Sequence, residues 1–195
     1  MIKDKKALLH YLECDKIALG KKYKHPRLFG DEIWKFQICM RKLEYYSNIG
    51  VSGILHKVFY RIKYHKLSLK LGFSIPYKNI GPGLAIVHYG TIVISSDCNI
   101  GNNCRIHTGV NIGASGGEYG AATIGDNVYI GPGVKIIGKI TIGDDSVLGA
   151  NAVVTKNVPN GVTVGGIPAK IISENNSSKH LIKATEIIEN EGMKK

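Results

Sequence analysis

Two of the seven histidines, His88 and His107, are the residues best placed to move a proton. Histidine exchanges a proton near neutral pH, and a positioned imidazole can take the proton of a hydroxyl that attacks an electrophile. The two residues are nineteen positions apart in the sequence. A lone surface histidine is more often passive, so this chemistry depends on the element that carries the pair.

The other reactive side chains give no second site. The four cysteines contain no CxxC pair, and they are interpreted as buried free thiols in a reducing compartment. No metal-ligand cluster, phosphate-binding loop or dinucleotide fingerprint is found in the sequence. We therefore expect no metal ion.

A six-residue repeat contains both histidines. An aliphatic residue recurs at Ile80, Ile86, Ile92, Ile100, Ile106, Ile112, Ile124, Ile130, Ile136, Ile142, Leu148 and Val154. Such a repeat is typical of a parallel β-helix, in which three hexads form one triangular coil. The predicted coils are 80–97, followed by a two-residue slip, 100–117 with six extra residues at 118–123, 124–141 and 142–159. Ile86 then points inward, His88 points outward, and His107 stacks near His88 on the next coil.

Three segments resemble the hexapeptide-repeat acyltransferases. They are GPGLAIVHYGTIVI, GASGGEYGAATIGDNVYIGPGVKIIG and GGIPAKII, and the resemblance covers residues 73–172. The most similar branch is that of the serine acetyltransferase-like enzymes, including capsule and exopolysaccharide O-acetyltransferases. The resemblance implies a left-handed β-helix and acetyl-CoA as donor. It also implies homotrimers with active sites between subunits, and leaves open whether two trimers pair.

The expected architecture is mainly β, with three parts. Residues 1–72 form a basic α-helical segment, residues 73–172 the β-helix that carries the site, and residues 173–195 a tail with a packed or frayed helix. Helices are predicted at 3–19, 31–46 and 52–70.

The family motif assigns site residues by position. It places the general base on His88, within His88-Tyr89-Gly90-Thr91. The coil spacing, and not the motif, suggests His107 as a second site residue that supports His88 or binds the acceptor. Coenzyme A contacts are expected at Gly113, Ala114, Gly131, Gly149, Ala150, Lys156, Gly165, Gly166 and Lys170. Acceptor contacts are expected at Val87, Glu118 and Tyr119.

The sequence departs from typical serine acetyltransferases around the acceptor. Phe73 stands where those enzymes have an acid that orients the histidine, and Val87 replaces an aspartate. Their Arg-His pair in the extruded loop is replaced here by a stretch that contains Ala121 and Ala122. These changes predict an apolar, uncharged pocket and a sugar acceptor in surface polysaccharide assembly. The alternatives are a serine O-acetyltransferase and a non-catalytic scaffold. The basic N-terminal segment could supply the positive charge that the Arg-His pair gives in the serine enzymes.

The net charge of +11 lies entirely in the N-terminal segment. Residues 1–79 contain 17 Lys and Arg against 6 Asp and Glu, and the remainder is neutral. The helix predicted at 52–70 is basic and amphipathic, so its apolar face either packs on protein or lies on an anionic membrane. No nucleic-acid partner is expected, because no recognition fold accompanies the charge. With no long apolar run or signal peptide, a cytoplasmic location is expected, with the inner face of the membrane as an alternative.

Overall fold

The computed structural model describes residues 1–116 and 120–192. The chain begins with three helices, α1 (Lys5–Ala18), α2 (Glu32–Asn48) and α3 (Ile54–Leu71), with a 3₁₀ turn at Gly50–Gly53. The three predicted helices are confirmed to within two residues at each end. Within the described residues, each helix is too short or too polar to span a bilayer.

The described residues then form fourteen short strands. They are β1 (Phe73–Ser74), β2 (Ala85–Ile86), β3 (Ile92–Ile94), β4 (Asn99–Ile100), β5 (Arg105–Ile106), β6 (Asn111–Gly113), β7 (Thr123–Ile124), β8 (Tyr129–Ile130), β9 (Lys135–Ile137), β10 (Thr141–Ile142), β11 (Val147–Leu148), β12 (Val153–Val154), β13 (Thr163–Gly165) and β14 (Lys170–Ser173).

The strands build the three faces of a parallel β-helix. Face A has the order β1-β3-β6-β9-β12, face B the order β4-β7-β10, and face C the order β2-β5-β8-β11-β13-β14. Each strand pairs in parallel with strands one coil away, and only the final β13–β14 pair is antiparallel. The predicted left-handed β-helix is confirmed.

Columns of aliphatic residues fill the interior. On face C, Ile86, Ile106, Ile130 and Leu148 stack in register and are fully buried. Burial of each side chain contributes about 1.5–3 kcal/mol relative to exposure. The hexapeptide period is therefore the repeat of the core itself.

The pairing register confirms two predicted irregularities and corrects the last coil. Ile80 is joined to Ile100, which includes the two-residue slip, and Ile106 pairs with Ile130, which includes the six extra residues. However, Ile142 is joined to Val158, so this coil is two residues shorter than the predicted 142–159. The two residues are missing between Val154, which still pairs with Ile136 18 residues earlier, and Val158.

The six extra residues lie earlier than predicted. Thr123 already belongs to β7, and Ala121 and Ala122 are buried at 6 % and 0 % exposure. The carbonyl of Ala122 accepts a hydrogen bond from the Asn99 amide, and the Thr123 amide donates to Ile140. Ala122 therefore packs in the core, and the extrusion falls between Gly113 and Ala121.

A buried ion pair joins the helices to the first coil. Arg41, which is fully buried, donates to both carboxylate oxygens of Asp15 at 2.8 and 3.0 Å and to the carbonyls of Ile80 and Gly81 at 2.7 Å. Asp15 also accepts from the Gly83 and Leu84 amides, both at 3.0 Å. These bonds fix the chain immediately before β2.

Helix α2 also closes the outer edge of face C. The Gln37 side chain donates to the Leu84 carbonyl at 2.7 Å and accepts from the Ile86 amide at 3.2 Å. A side-chain amide thus takes the place of a neighbouring strand along β2. This fixes the strand that ends two residues before His88.

The C-terminal tail folds back onto the helices. Its last helix, α4 (Ala184–Gly192), buries Ala184 against Cys14, Ala18 and Ala85. Thr185 exchanges hydrogen bonds with the Asn103 side chain at 2.7 and 3.1 Å. Of the two alternatives for the tail, packed or frayed, the structure has the packed one.

Candidate active site

His88 lies on the wall of a cleft between the N-terminal segment and face C. The cleft has a volume of about 360 Å³ and is lined by Ala18, Leu19, Lys21, Arg27, Gly30, Asp31, Glu32, Ile33, Trp34, Ala85, Ile86, Val87, His88, Tyr89 and Arg105. The N-terminal segment supplies one wall, and the first two coils supply the other. Val87, predicted to contact the acceptor, lies in this cleft beside His88.

The two histidines are neighbours, as the period predicts. Their ring centroids are 6.3 Å apart, and His88 is exposed while His107 is half-buried. The buried Nε2 of His107 has no hydrogen-bond partner within the described part of the chain. Burial lowers the pKa of His107, and the charges of Arg105 and His88 lower it further. His107 is therefore neutral at neutral pH and offers one unused polar atom.

A line of rings continues from His107 along the coil stack. Tyr129 lies 5.1 Å from His107, and His180 lies 5.1 Å from Tyr129, measured between ring centroids. His180 belongs to the C-terminal tail, which contains none of the predicted site residues. No repeat connects the tail to the coils, so nothing in the sequence placed His180 here.

Asp31 is the charged centre of the N-terminal wall. Its side chain is 1 % exposed and accepts hydrogen bonds from Lys21 at 2.6 Å and from the Nε and amide of Arg27 at 3.1 and 3.0 Å. Burial opposes ionisation, but these donors outweigh it and hold the pKa of Asp31 well below its usual range. Asp31 also occupies the N-cap of α2 with a φ of 40°, without a side-chain capping bond.

Two further charged side chains, Glu32 and Arg105, line the same cleft and could bind charged groups of a substrate. Glu32 is 28 % exposed, and its contacts to Lys35 and Lys70 are long, at 3.7 and 3.8 Å. Arg105, which is partly exposed on β5, forms no ion pair with any described residue. The cleft therefore presents a carboxylate and a guanidinium to an incoming molecule.

The predicted apolar, uncharged pocket is wrong. Ala121 and Ala122 lie in the core, and the cleft beside Val87 carries charges from the N-terminal segment and from Arg105. The predicted acceptor residues Glu118 and Tyr119 lie outside the described residues. The charged wall of the cleft, which contains Lys21, Arg27 and Asp31, could not be predicted from the spacing of residues, because residues 21–31 belong to no repeat.

Phe73 does not stand beside the histidine ring. It is 5 % exposed on face A, its ring lies 5.1 Å from that of Phe36, and it lines a separate depression with Tyr64. An acid introduced here would enter the core and would not orient His88. The expectation that position 73 faces the ring is therefore wrong.

The residues predicted to bind coenzyme A lie at two corners of the β-helix. The corner after face C carries His107 and, in register with it, Gly131, Gly149 and Gly165, together with Ala150, Gly166 and the paired strand of Lys170. The corner after face A carries Gly113, Ala114 and Lys156. At Gly131 a Cβ atom would lie 2.7 Å from the Leu148 carbonyl oxygen, so the coils require glycine there whether or not it binds a ligand.

Comparison with known proteins supports the same family. The family model for bacterial transferase hexapeptide (six repeats) matches residues 121–156. A serine acetyltransferase of Mycobacterium tuberculosis is 42 % identical over 101 residues, 51 % of this chain and 44 % of the relative. One of Bacillus subtilis is 33 % identical over 147 residues, 73 % of this chain and 63 % of the relative. The chain thus spans 44 % and 63 % of the lengths of these two relatives.

A solved structure agrees with this result. Serine acetyltransferase of Brucella abortus in complex with coenzyme A superposes with a TM-score of 0.69 at 28 % identity, over 88 % of this chain and 70 % of that one. The fold and these matches support the hexapeptide-repeat acyltransferase family for this chain. Within that family, its similarity is to the serine acetyltransferases.

Proposed function

We propose that the protein is an acetyl-CoA-dependent O-acetyltransferase whose acceptor is L-serine or a similar small amino acid. The observation that supports this acceptor is the charged cleft beside His88, with Glu32 and Arg105 both on its walls. A zwitterion loses hydration on entering a cleft and needs opposite charges to replace it. Glu32 is suited to its ammonium group and Arg105 to its carboxylate. The proposal replaces the sugar acceptor favoured by sequence reasoning.

In the proposed reaction, His88 acts as the general base. Its neutral imidazole takes the proton of the acceptor hydroxyl while the oxygen attacks the thioester carbonyl carbon of acetyl-CoA. The new C–O bond forms, the C–S bond breaks, and the proton on His88 passes to the departing thiolate of coenzyme A. His107 is proposed to support His88 from the adjacent coil, where its ring lies 6.3 Å from that of His88.

The donor site is proposed to lie between subunits of a trimer. In one chain the expected coenzyme A residues are divided between the corners after face C and after face A. A neighbouring subunit could bring its own Gly113, Ala114 and Lys156 to the corner that carries His107. Under this proposal the subunits must assemble to form a complete donor site, because each chain supplies only part of it.

A sugar acceptor, in surface polysaccharide biosynthesis, is the second candidate. Tyr89 is 74 % exposed at the rim of the cleft, and an exposed aromatic ring can stack on the apolar face of a sugar. A non-catalytic scaffold is the third candidate, but a scaffold needs neither the histidine pair nor the charged cleft.

The test is release of free thiol from acetyl-CoA with L-serine and with a panel of sugars, using His88→Ala as the inactive control. We expect turnover on L-serine with a KM at or below about 1 mM, within the ordinary enzymatic range. Turnover on sugars alone would establish the second candidate. If the protein acetylates no acceptor and is not retained on a coenzyme A resin, the third candidate, a non-catalytic scaffold, is the one supported.

A further inference from the structure

The outward face of α3 carries an apolar stripe that no described residue covers. Its members are Ile54, Leu55, Val58, Phe59, Ile62 and Leu69, each at least half exposed, with Leu55 at 84 % and Leu69 at 72 %. At 3.6 residues per turn they fall within a sector of about 140°. The opposite face packs Tyr64, Leu67 and Leu71 against the β-helix. The helix is therefore anchored on one side and apolar on the other.

Basic residues border this stripe. Arg61 lies along one edge and Lys63 and Lys70 along the other, while His65 and Lys66 lie within the sector of the stripe. Between Glu44 and Asp97 the sequence contains no acidic residue. The three lysines, with Phe59 and Ile62, line a shallow groove of about 440 Å³. The apolar stripe and its basic border form one continuous surface, here called the α3 face.

We propose that the α3 face docks on the surface of a membrane that contains anionic phospholipids. An amphipathic helix with an apolar face and lysines beside it lies in the plane of the interface, with its apolar side chains among the acyl chains. The lysine stems cover apolar surface while their ammonium groups reach the phosphates. The α3 face thus matches a lipid surface in both apolar content and charge.

Charge also disfavours a second copy of the chain as the occupant. Twofold pairing of two α3 faces would bring Lys63, Lys66 and Arg61 of both copies together. No acidic residue in this part of the sequence is available to neutralise them. A bilayer with anionic headgroups provides the missing negative charge. This proposal does not depend on the acceptor proposed above.

The experiment is co-sedimentation of the full chain with vesicles. One set contains phosphatidylcholine alone, and the other contains phosphatidylcholine with one third phosphatidylglycerol. We expect partition into the anionic vesicles to be roughly tenfold stronger or more, and to weaken as salt is added. The double variant Leu55→Ser/Phe59→Ser should lose about tenfold in partition, and so should Lys63→Glu/Lys66→Glu. Because these side chains are exposed, both variants should keep the circular dichroism spectrum of the parent.

Leu9→Ser is the matched control, since Leu9 is 57 % exposed on α1 and lies outside the α3 face. It should bind vesicles as the parent does. Equal partition into neutral and anionic vesicles would overturn the proposal, and so would full binding by either double variant. If no vesicles are bound and Leu55→Ser/Phe59→Ser reduces the sedimentation coefficient in solution, the α3 face is an interface between copies, which also overturns it.

Discussion

His88 and His107 are adjacent histidines in different surroundings. His88 is exposed on the cleft wall, where a substrate hydroxyl can reach it, and His107 is half-buried behind it. A lowered pKa keeps His107 uncharged, so it does not repel the positive charge that His88 acquires when it takes a proton. The pair can therefore divide the work between proton transfer and positioning.

Replacement of His88 by alanine should lower turnover by two to four orders of magnitude, the usual effect of losing a general base. Binding of coenzyme A, measured by calorimetry, should change little, because the ring faces the acceptor. His65→Ala, on exposed α3, is the control and should retain parental turnover. If His88→Ala keeps more than a tenth of parental turnover, His88 is not the base.

Arg105→Gln should raise the KM for L-serine by roughly 10–100-fold and change kcat by less than about tenfold. The reason is that a hydrogen bond to a charged group contributes about 1.5–3 kcal/mol, and this bond would be lost in binding. Steady-state kinetics with acetyl-CoA held at saturation measures the effect. Arg61→Gln on α3 serves as control, and an unchanged KM for L-serine in Arg105→Gln would remove Arg105 from the acceptor site.

At the scale of residues, the sequence predicted the histidine pair within the repeat but missed Arg105 on β5 and the site residues outside the repeat. The period alone placed His88 next to His107, because residues one coil apart must stack. Asp31, Glu32 and the ring of His180 come from segments with no period, and their positions depend on long-range packing. Of these residues, Asp31 and Glu32 line the cleft and, together with Arg105, reverse the acceptor prediction.

At the scale of elements, the connection between the helices and the first coil rests on a few buried polar contacts. The Arg41 guanidinium uses four hydrogen bonds to join α1, α2 and the chain before β2. A change at this junction should therefore affect both stability and the position of His88.

Arg41→Met should lower the free energy of unfolding by about 3–5 kcal/mol, because it leaves the Asp15 carboxylate buried without its cation. Urea unfolding measures the loss. Lys16→Met is the matched control, since it breaks a pair between partly exposed Lys16 and Glu13, and it should cost less than about 1 kcal/mol. Equal effects of the two variants would mean that the buried pair is not what joins the helices to the coil.

Asp31 should make stability depend on pH in a defined direction. Its pKa is lower in the folded chain than in the unfolded one, where an aspartate has a pKa of about 3.9. Its stabilising contribution is thus complete above that unfolded value and is lost as the pH falls below it. We expect the parent to be more stable than Asp31→Asn at pH 7, with a difference that shrinks below about pH 4.

Urea unfolding of both proteins at several pH values tests this prediction. Glu13→Gln, which changes an exposed carboxylate on α1, should differ from the parent by a small and nearly constant amount. A difference between the parent and Asp31→Asn that grows as the pH falls would contradict the assignment of Asp31 as a stabilising anion.

The period also explains which elements were predicted well. Interior aliphatic residues fix the faces, so the strands and the 18-residue coil followed from spacing. The shortening of the last coil lies in the corner between Val154 and Val158, and the spacing of aliphatic residues in the earlier coils does not fix the length of that corner. The position of the extrusion depended on recognising Ala122 as a core residue, although alanine is small enough to suit a loop as well.

The whole molecule should assemble as a trimer if the donor site is divided between subunits. Sedimentation velocity at micromolar concentration should give a mass near three times 21.2 kDa, or near six times if trimers pair. Lys156→Glu should weaken coenzyme A binding without dissociating the assembly, because Lys156 is exposed at the corner after face A. A monomer with full activity would contradict the divided site.

A stack of coils also has two ends, and each end exposes backbone groups that could pair with another molecule. At one end the Gln37 side chain occupies the groups of β2, and at the other β14 runs antiparallel against β13 and ends the parallel register. Open strand edges of this kind allow molecules to add end to end into fibres. The two caps therefore close both ends of face C and disfavour the addition of another strand there. Gln37 thus contributes to colloidal stability as well as to the site.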